Sequence, residues 1–144
     1  ILTYGVMRQV VERALTRYNK LAPDYLALFS LEAGRDLYDD NGYVSERTRM
    51  ACDVIDLRSL YPIDWGLIKK MLERTGKLLI VEPDITYGGV GAEIAATISE
   101  EMPYVRVKRL GAKRMTAPAS AILHSQILPT EEDVIASIEA LNQG

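Results

Sequence analysis

The residues with the greatest capacity for chemistry follow one short apolar run. The run is LLIV at residues 78–81, and the candidates that follow it are Glu82, Asp84, Gly88, Gly89, Gly91 and Glu93. Two neighbouring carboxylates could act as an acid and a base. Glycines directly before a helix could bind an anion, because the start of a helix offers free backbone N–H groups and a partial positive charge. The sequence therefore raises acid/base catalysis and anion binding as possible chemistries.

The composition of this segment favours a third interpretation, contact with another protein. Its glycine spacing matches neither GxGxxG nor the P-loop lysine motif. An anion pocket needs a compensating cation, but the nearest charges in the sequence are all acidic. Glycines let another backbone approach closely, and carboxylates can pair with basic groups of a partner. We therefore predict that the following residues form an interface: Glu82, Asp84, Gly88, Gly89, Gly91 and Glu93.

Histidine and cysteine chemistry has little support in this sequence. His124 and Cys52 are the only residues of their types, so no pair of them stands at metal-ligand spacing. Ser120 and Ser125 lie near His124, but the segment has no nucleophile elbow. We interpret His124 as a structural residue and Cys52 as a small packed thiol, which fits a reducing compartment. The sequence predicts no catalytic, cofactor-binding or metal-binding residue on this chain.

Charge and hydropathy exclude two classes of partner. The net charge is −3 over 144 residues, and no clustered basic face is evident, so we expect no nucleic-acid partner. No apolar stretch approaches the roughly 18 residues needed to cross a bilayer, so we expect no membrane span. The first residue is Ile1 and already looks like part of a strand. We therefore expect the chain to be a fragment of a longer polypeptide.

Strand and helix patterns alternate along the chain. Apolar runs predict strands at residues 1–4, 52–57, 77–82 and 105–110, and three- and four-residue spacing predicts helices at residues 7–18, 64–76, 90–102 and 130–141. Asp64 and Gly76 are suited to cap the second helix, and Thr130 with Asp133 resembles a capping box. This order predicts one α/β domain over residues 1–144, with a largely parallel sheet covered on both faces.

Residues 21–50 are the exception to this regular order. They are far longer than a usual loop, so they must have structure of their own or be disordered. Tyr25, Leu28 and Phe29 cluster at helical spacing after Asp24. We expect a helical excursion that packs on the domain or on a neighbouring chain, because each such side chain gains about 1.5–3 kcal/mol on full burial.

Four blocks of the sequence resemble one known family. VIDLRSLYPID at residues 54–64 resembles the VIDLRTLYPLD signature of the E1 beta subunits of thiamine-diphosphate-dependent 2-oxo acid dehydrogenases. LTYG at residues 2–5, GGVGAEI at 88–94 and ILP at 127–129 are similar to further blocks of that family, in the same order. The chain departs from the family in the length of residues 21–50, and in His124, where members commonly have an acidic residue.

The resemblance implies a fold, a function and partners. The fold is that of the transketolase C-terminal domain, a three-layer α/β/α arrangement with a mostly parallel mixed sheet. In the resembled enzymes thiamine diphosphate and Mg²⁺ bind outside this domain, and the catalytic histidine belongs to another domain. The resemblance therefore implies a non-catalytic assembly domain with three partners: the E1 alpha subunit, a second beta subunit and the peripheral-subunit-binding domain of E2. It also implies a location in the cytoplasm, or in the mitochondrial matrix of a eukaryote.

One alternative from a different functional class remains open. The chain could be a stand-alone α/β module that binds a phosphate-bearing ligand at the loop of residues 88–91.

Overall fold

The computed structural model describes residues 1–21 and 52–143. The expected helix after Asp24, with Tyr25, Leu28 and Phe29, lies outside the described residues and stays a prediction. Strands and helices alternate as the sequence predicts. In chain order the elements are β1 (Leu2–Thr3), α1 (Met7–Leu21), β2 (Ile55–Asp56), α2 (Trp65–Thr75), β3 (Lys77–Ile85), α3 (Val90–Glu101), β4 (Arg106–Ala112), α4 (Ala121–Ser125) and α5 (Glu131–Gln143).

The strands form one sheet in the order β2-β1-β3-β4. All three pairings are parallel, with Leu2 opposite Ile55 on one side and opposite Ile80 on the other. The α/β class is thus confirmed. A mixed sheet would need an antiparallel strand, and there is none among the described residues. Each strand connection includes a helix, which returns the chain to the starting edge and lets the next strand run parallel.

Two apolar clusters cover the two faces of the sheet. Ile80 contributes to the cluster beneath α2 and α3, while Leu79 contributes to the cluster beneath α1 and α5. The division follows from the strand itself, since successive side chains point to opposite faces. Helices on both sides of the sheet give the three-layer arrangement that the resemblance implies.

The predicted helix ends are confirmed. The Asp64 side chain accepts a hydrogen bond from the Leu67 N–H at 2.9 Å, and Gly76 ends α2 with φ +62°. At the start of α5 the Thr130 hydroxyl accepts from the Asp133 N–H at 3.2 Å, and the Asp133 carboxylate accepts from the Thr130 N–H at 2.9 Å. Both helices therefore begin with their own carboxylate at the amino end.

All four strands point the same way, so their carboxyl ends meet at one edge of the sheet, called here the carboxyl edge. The segments that leave it are residues 4–6, 57–64, 86–89 and 113–130. In α/β domains this edge is where function usually lies. The candidate residues after β3 belong to it.

Replacing Ile98 with Ala tests the packing of α3. Ile98 is 0% exposed, so the change is expected to lower the free energy of unfolding by about 2–5 kcal/mol through lost burial and the cavity left behind. Urea unfolding followed by circular dichroism measures this change. The matched control is Ile122→Ala in α4, where the side chain is 74% exposed and the expected change is within about 0.5 kcal/mol. Equal losses in the two variants would show that α3 is not packed as described.

Candidate functional site: the glycine loop at the carboxyl edge

Glu82 is the most unusual residue at the carboxyl edge, because its charged side chain is completely buried. β3 continues past the apolar run to Ile85, so the alternation of the strand keeps Glu82 on the same face as Ile80. That face lies beneath α2 and α3. Glu82 was predicted to lie at a protein interface, but it lies inside the domain.

The carboxylate of Glu82 is held from two sides. The N–H of Gly91 donates a hydrogen bond to its Oε2 at 2.8 Å. The hydroxyl of Tyr4 donates to the same oxygen at 3.3 Å. Tyr4 follows β1 and Gly91 lies in the first turn of α3, so one carboxylate connects two strands and a helix.

Glu82 caps α3, although it belongs to β3, the strand that precedes this helix. A capping side chain at the residue before a helix normally accepts from the second or third N–H of that helix. Gly89 occupies that position before α3 and has no side chain, and no cap hydrogen bond comes from it. Oε2 of Glu82 accepts from Gly91, the second residue of the helix, and its negative charge lies at the positive end of the helix dipole.

Three glycines leave the room that this arrangement needs. A Cβ on Gly91 would lie 2.4 Å from Oε1 of Glu82, and a Cβ on Gly89 would lie 2.6 Å from the carbonyl oxygen of Ile85. The third is Gly111 in β4, where a Cβ would lie 2.5 Å from the carbonyl oxygen of Asp84. Gly111 was not among the candidates, because only the pairing of β3 with β4 brings it to the loop.

The Glu82 carboxylate is only partly satisfied by hydrogen bonds. Within the described residues Oε1 has no hydrogen-bond partner, although it lies against the backbone at the start of α3. Burial raises the pKa of the Tyr4 phenol, and the adjacent Glu82 carboxylate raises it further. The phenol therefore stays protonated and can donate its hydrogen bond at neutral pH.

The other candidates divide into buried and exposed residues. Gly89 and Gly91 are buried with Glu82, whereas Asp84, Gly88 and Glu93 are exposed. The buried three have little surface to offer a partner in this fold, because Gly89 and Gly91, at the start of α3, pack directly against Glu82. A direct contact would therefore fall to the exposed three, and the interface itself stays a prediction.

Two arginines from β4 and the segment after it contact the loop, although the nearest charges in the sequence are acidic. The guanidinium of Arg109 donates to the carbonyl oxygen of Thr86 at 2.5 Å. The guanidinium of Arg114 lies over the ring of Tyr87, 4.3 Å from its centroid, and the Tyr87 side chain is 69% exposed. Sequence reasoning missed both arginines because each follows the residue that it contacts by more than twenty positions.

The remaining candidates for chemistry lie apart from the loop. His124 is exposed on α4, and Cys52 is half-buried just before β2. Burial raises the pKa of the Cys52 thiol, which disfavours the reactive thiolate. Among residues 1–21 and 52–143 there is no cluster of side chains suited to hold a metal ion. In the same residues no helix has both the length and the apolar character needed to cross a bilayer.

Comparison with known proteins places these residues in a family. A family model described as the transketolase C-terminal domain matches residues 44–134, which is more than half of the chain. The beta subunit of the pyruvate dehydrogenase E1 component from Rickettsia bellii is 32% identical over 113 residues, covering 76% of this chain and 32% of that protein. The mitochondrial counterpart from Caenorhabditis elegans is 31% identical over 118 residues, covering 77% of this chain and 30% of that protein. The chain thus spans about a third of the length of these relatives.

Two further similarities agree with this placement. The beta subunit of acetoin:2,6-dichlorophenolindophenol oxidoreductase from Bacillus subtilis is 30% identical over 104 residues, covering 69% of this chain and 30% of that protein. A solved structure titled split gene transketolase, inactive beta4 tetramer, superposes with a TM-score of 0.65 over 97% of this chain and 37% of that one. Its sequence is 22% identical, so it supports the fold alone.

Replacing Gly91 with Ala tests the close approach of α3 to Glu82. The added Cβ would lie within 2.4 Å of a buried carboxylate oxygen, and such overpacking is expected to cost about 1–3 kcal/mol of unfolding free energy. The matched control is Gly66→Ala in α2, where the nearest atom would be 3.5 Å away. There the same change is expected to stabilise the domain by about 0.5–1 kcal/mol. Thermal or urea unfolding measures both variants, and a Gly91 variant as stable as the Gly66 variant would rule out the tight contact.

Proposed function

Since the chain belongs to the transketolase C-terminal domain family, we propose that it is the assembly domain of the beta subunit of a thiamine-diphosphate-dependent 2-oxo acid dehydrogenase E1 component. Relatives that match include beta subunits of pyruvate dehydrogenase, 2-oxoisovalerate dehydrogenase and an acetoin oxidoreductase. In the proposed parent enzyme a 2-oxo acid is decarboxylated on thiamine diphosphate with Mg²⁺, and the acyl group passes to the lipoyl domain of E2. This domain contributes subunit contacts to that enzyme.

The distribution of exposed apolar side chains is the observation that carries the proposal. Among the described residues, the large apolar side chains that are exposed share one location: with the exception of Tyr104, they lie on the connections at the carboxyl edge or on the first turn of a helix that starts there. They are Val6, Leu60, Tyr61, Leu67, Tyr87, Met115, Ile122 and Leu123. Exposed apolar groups gathered on one side of a domain are typical of protein contact surfaces.

The residues of the glycine loop do not fit thiamine diphosphate. The amide of Gly91, which the start of α3 could have offered to a diphosphate, already donates to Glu82. A diphosphate at this place would also meet the negative charge of the buried carboxylate, which is unfavourable at short distance in a buried site. These contacts support a cofactor site outside this domain, as the resemblance implies.

The proposed partners are the E1 alpha subunit, a second beta subunit and the peripheral-subunit-binding domain of E2. The exposed carboxylates Asp84 and Glu93 flank the loop and are available to basic groups of such a partner. Charge pairs of this kind contribute orientation and faster encounter more than affinity. The exposed ring of Tyr87, with the Arg114 guanidinium over it, offers apolar area at the tip of the same loop.

Titration calorimetry on the 144-residue chain tests the absence of a cofactor site. We expect no measurable heat of binding with thiamine diphosphate and Mg²⁺ and none with inorganic phosphate, because the start of α3 is already capped from within. Micromolar binding of thiamine diphosphate would overturn the assembly role. Binding of phosphate alone, lost in Gly88→Val, would instead support a stand-alone module that recognises a phosphate-bearing ligand.

Replacing Tyr87 with Ser in the complete beta subunit tests the contact surface. If the carboxyl edge binds a partner subunit, removing this 69% exposed ring is expected to weaken assembly about 30-fold, the effect of losing one strong contact residue. Sedimentation velocity of the subunit mixed with its alpha subunit measures the change.

The matched control is Tyr104→Ser, because Tyr104 is 61% exposed but lies between α3 and β4, at the opposite edge of the sheet. We expect this variant to assemble like the wild type. If Tyr104→Ser dissociates and Tyr87→Ser does not, the contact surface lies at the other edge and the proposed surface is wrong.

A further inference from the structure

We propose that Glu82 is a positioning residue, which caps α3 from the neighbouring strand and thereby fixes the glycine loop of residues 86–91 in the shape presented at the carboxyl edge. The role of that loop as a contact surface rests on the proposed function. The positioning itself is a property of this chain alone. The two statements can therefore fail separately.

The argument begins with the hydrogen-bond requirements of α3. The first N–H groups of a helix have no acceptor within the helix. Gly89, at the cap position, has no side-chain oxygen to offer, whereas Oε2 of Glu82 lies 2.8 Å from the Gly91 nitrogen. Of the side chains in the described residues, Glu82 therefore supplies the cap that the glycine lacks.

A space-filling role does not explain a carboxylate at this position. Burying a charged group is costly unless its hydrogen-bonding capacity is used, and one oxygen of Glu82 has no partner among the described residues. A neutral side chain of the same size would fill the volume without that cost. What the carboxylate adds is a charge-assisted hydrogen bond and a favourable interaction with the helix dipole.

The loop is held on its other side by β4. The Arg109 guanidinium bonds the carbonyl oxygen of Thr86, and Gly111 allows close approach to Asp84 and Thr86. Between these anchors only the tip of the loop, Tyr87 and Gly88, is exposed. A tip that is already ordered loses little conformational entropy when it meets a partner. By fixing the loop, the buried Glu82 can influence a contact surface that it does not touch.

Hydrogen exchange of the Gly91 amide, measured by NMR on the 144-residue chain, tests the positioning role. In the wild type this amide is expected to exchange at least about 100-fold more slowly than an unstructured amide, because its acceptor is a buried carboxylate. In Glu82→Gln, which keeps the shape but removes the charge, exchange is expected to be about tenfold faster, since charge-assisted hydrogen bonds are roughly twice as strong as neutral ones. Exchange at Ile80, in the core of β3, serves as the reference for global stability.

Two further variants separate the cap from other effects. Asp84→Asn removes an exposed carboxylate two residues along the same strand, and Tyr4→Phe removes the other donor to Glu82. In both variants the Gly91 amide is expected to stay within about threefold of the wild-type rate, because its own hydrogen bond is retained.

The positioning role is overturned if the wild-type Gly91 amide exchanges like an unstructured one, a result that needs no variant to fold. It is also overturned if Glu82→Gln leaves Gly91 as protected as Asp84→Asn does. If Glu82→Gln loosens the loop while Tyr87→Ser assembles normally, the positioning role stands and the proposed contact surface is wrong.

Discussion

The hydrogen bond from the Gly91 amide to the buried Glu82 carboxylate is the constraint on which the carboxyl edge of this domain depends. It joins the end of a central strand to the start of the helix that follows, and it does so with a charge inside the protein. The backbone of Gly91 must lie close to this buried charge, because the carboxylate has no other N–H donor among the described residues. The absence of side chains at Gly89 and Gly91 is what makes the approach possible.

The Glu82 carboxylate also connects β3 to β1, the strand that pairs with it in the sheet. Tyr4 leaves β1, which pairs with β3, and its hydroxyl reaches the same carboxylate oxygen. A shift of α3 would thus change the environment of Glu82 and, through it, the end of β1. Buried hydrogen bonds of this kind favour one relative position of the elements that they join, because moving one element would leave further buried groups without a partner.

The sequence was sufficient to predict the four strands and the four longer helices, because their signals are local, whereas the spacing pattern did not predict the short helix α4. The caps at Asp64 and Gly76 and the capping box at Thr130 each depend on residues within a few positions, and all are present in the structure. The site was predicted only in part. The glycine loop lies between β3 and α3 as predicted, but the burial of Glu82 was missed because β3 was predicted to end there. Continuing the alternation to Ile85 would have placed Glu82 on the core face with Ile80.

The contributions from β4 were beyond any local pattern. Arg109 and Gly111 reach the loop only because β3 and β4 pair in a particular register, with Ile80 opposite Arg109. Register depends on how the whole sheet is packed, so it cannot be predicted from the sequence around the loop. The charged residues nearest to the loop in the sequence are all acidic. In the structure, however, the guanidinium of Arg109 bonds the loop backbone and that of Arg114 lies over the ring of Tyr87.

The helix starts at the carboxyl edge give a physical reason why this edge suits protein contacts better than anionic ligands. In many α/β domains free helix amides at this edge attract phosphates and carboxylates. Here α2 is capped by Asp64, α3 by Glu82 and α5 by Asp133 with Thr130, so three of these starts already hold a carboxylate of the domain itself. At these three starts the partial positive charge already interacts with a carboxylate of the domain, so an anion that approached them would meet a negative charge before a free amide. What the edge still offers to the outside is apolar area, exposed charged side chains such as Asp84 and Glu93, and the tip of an ordered loop, a combination suited to the surface of another folded protein.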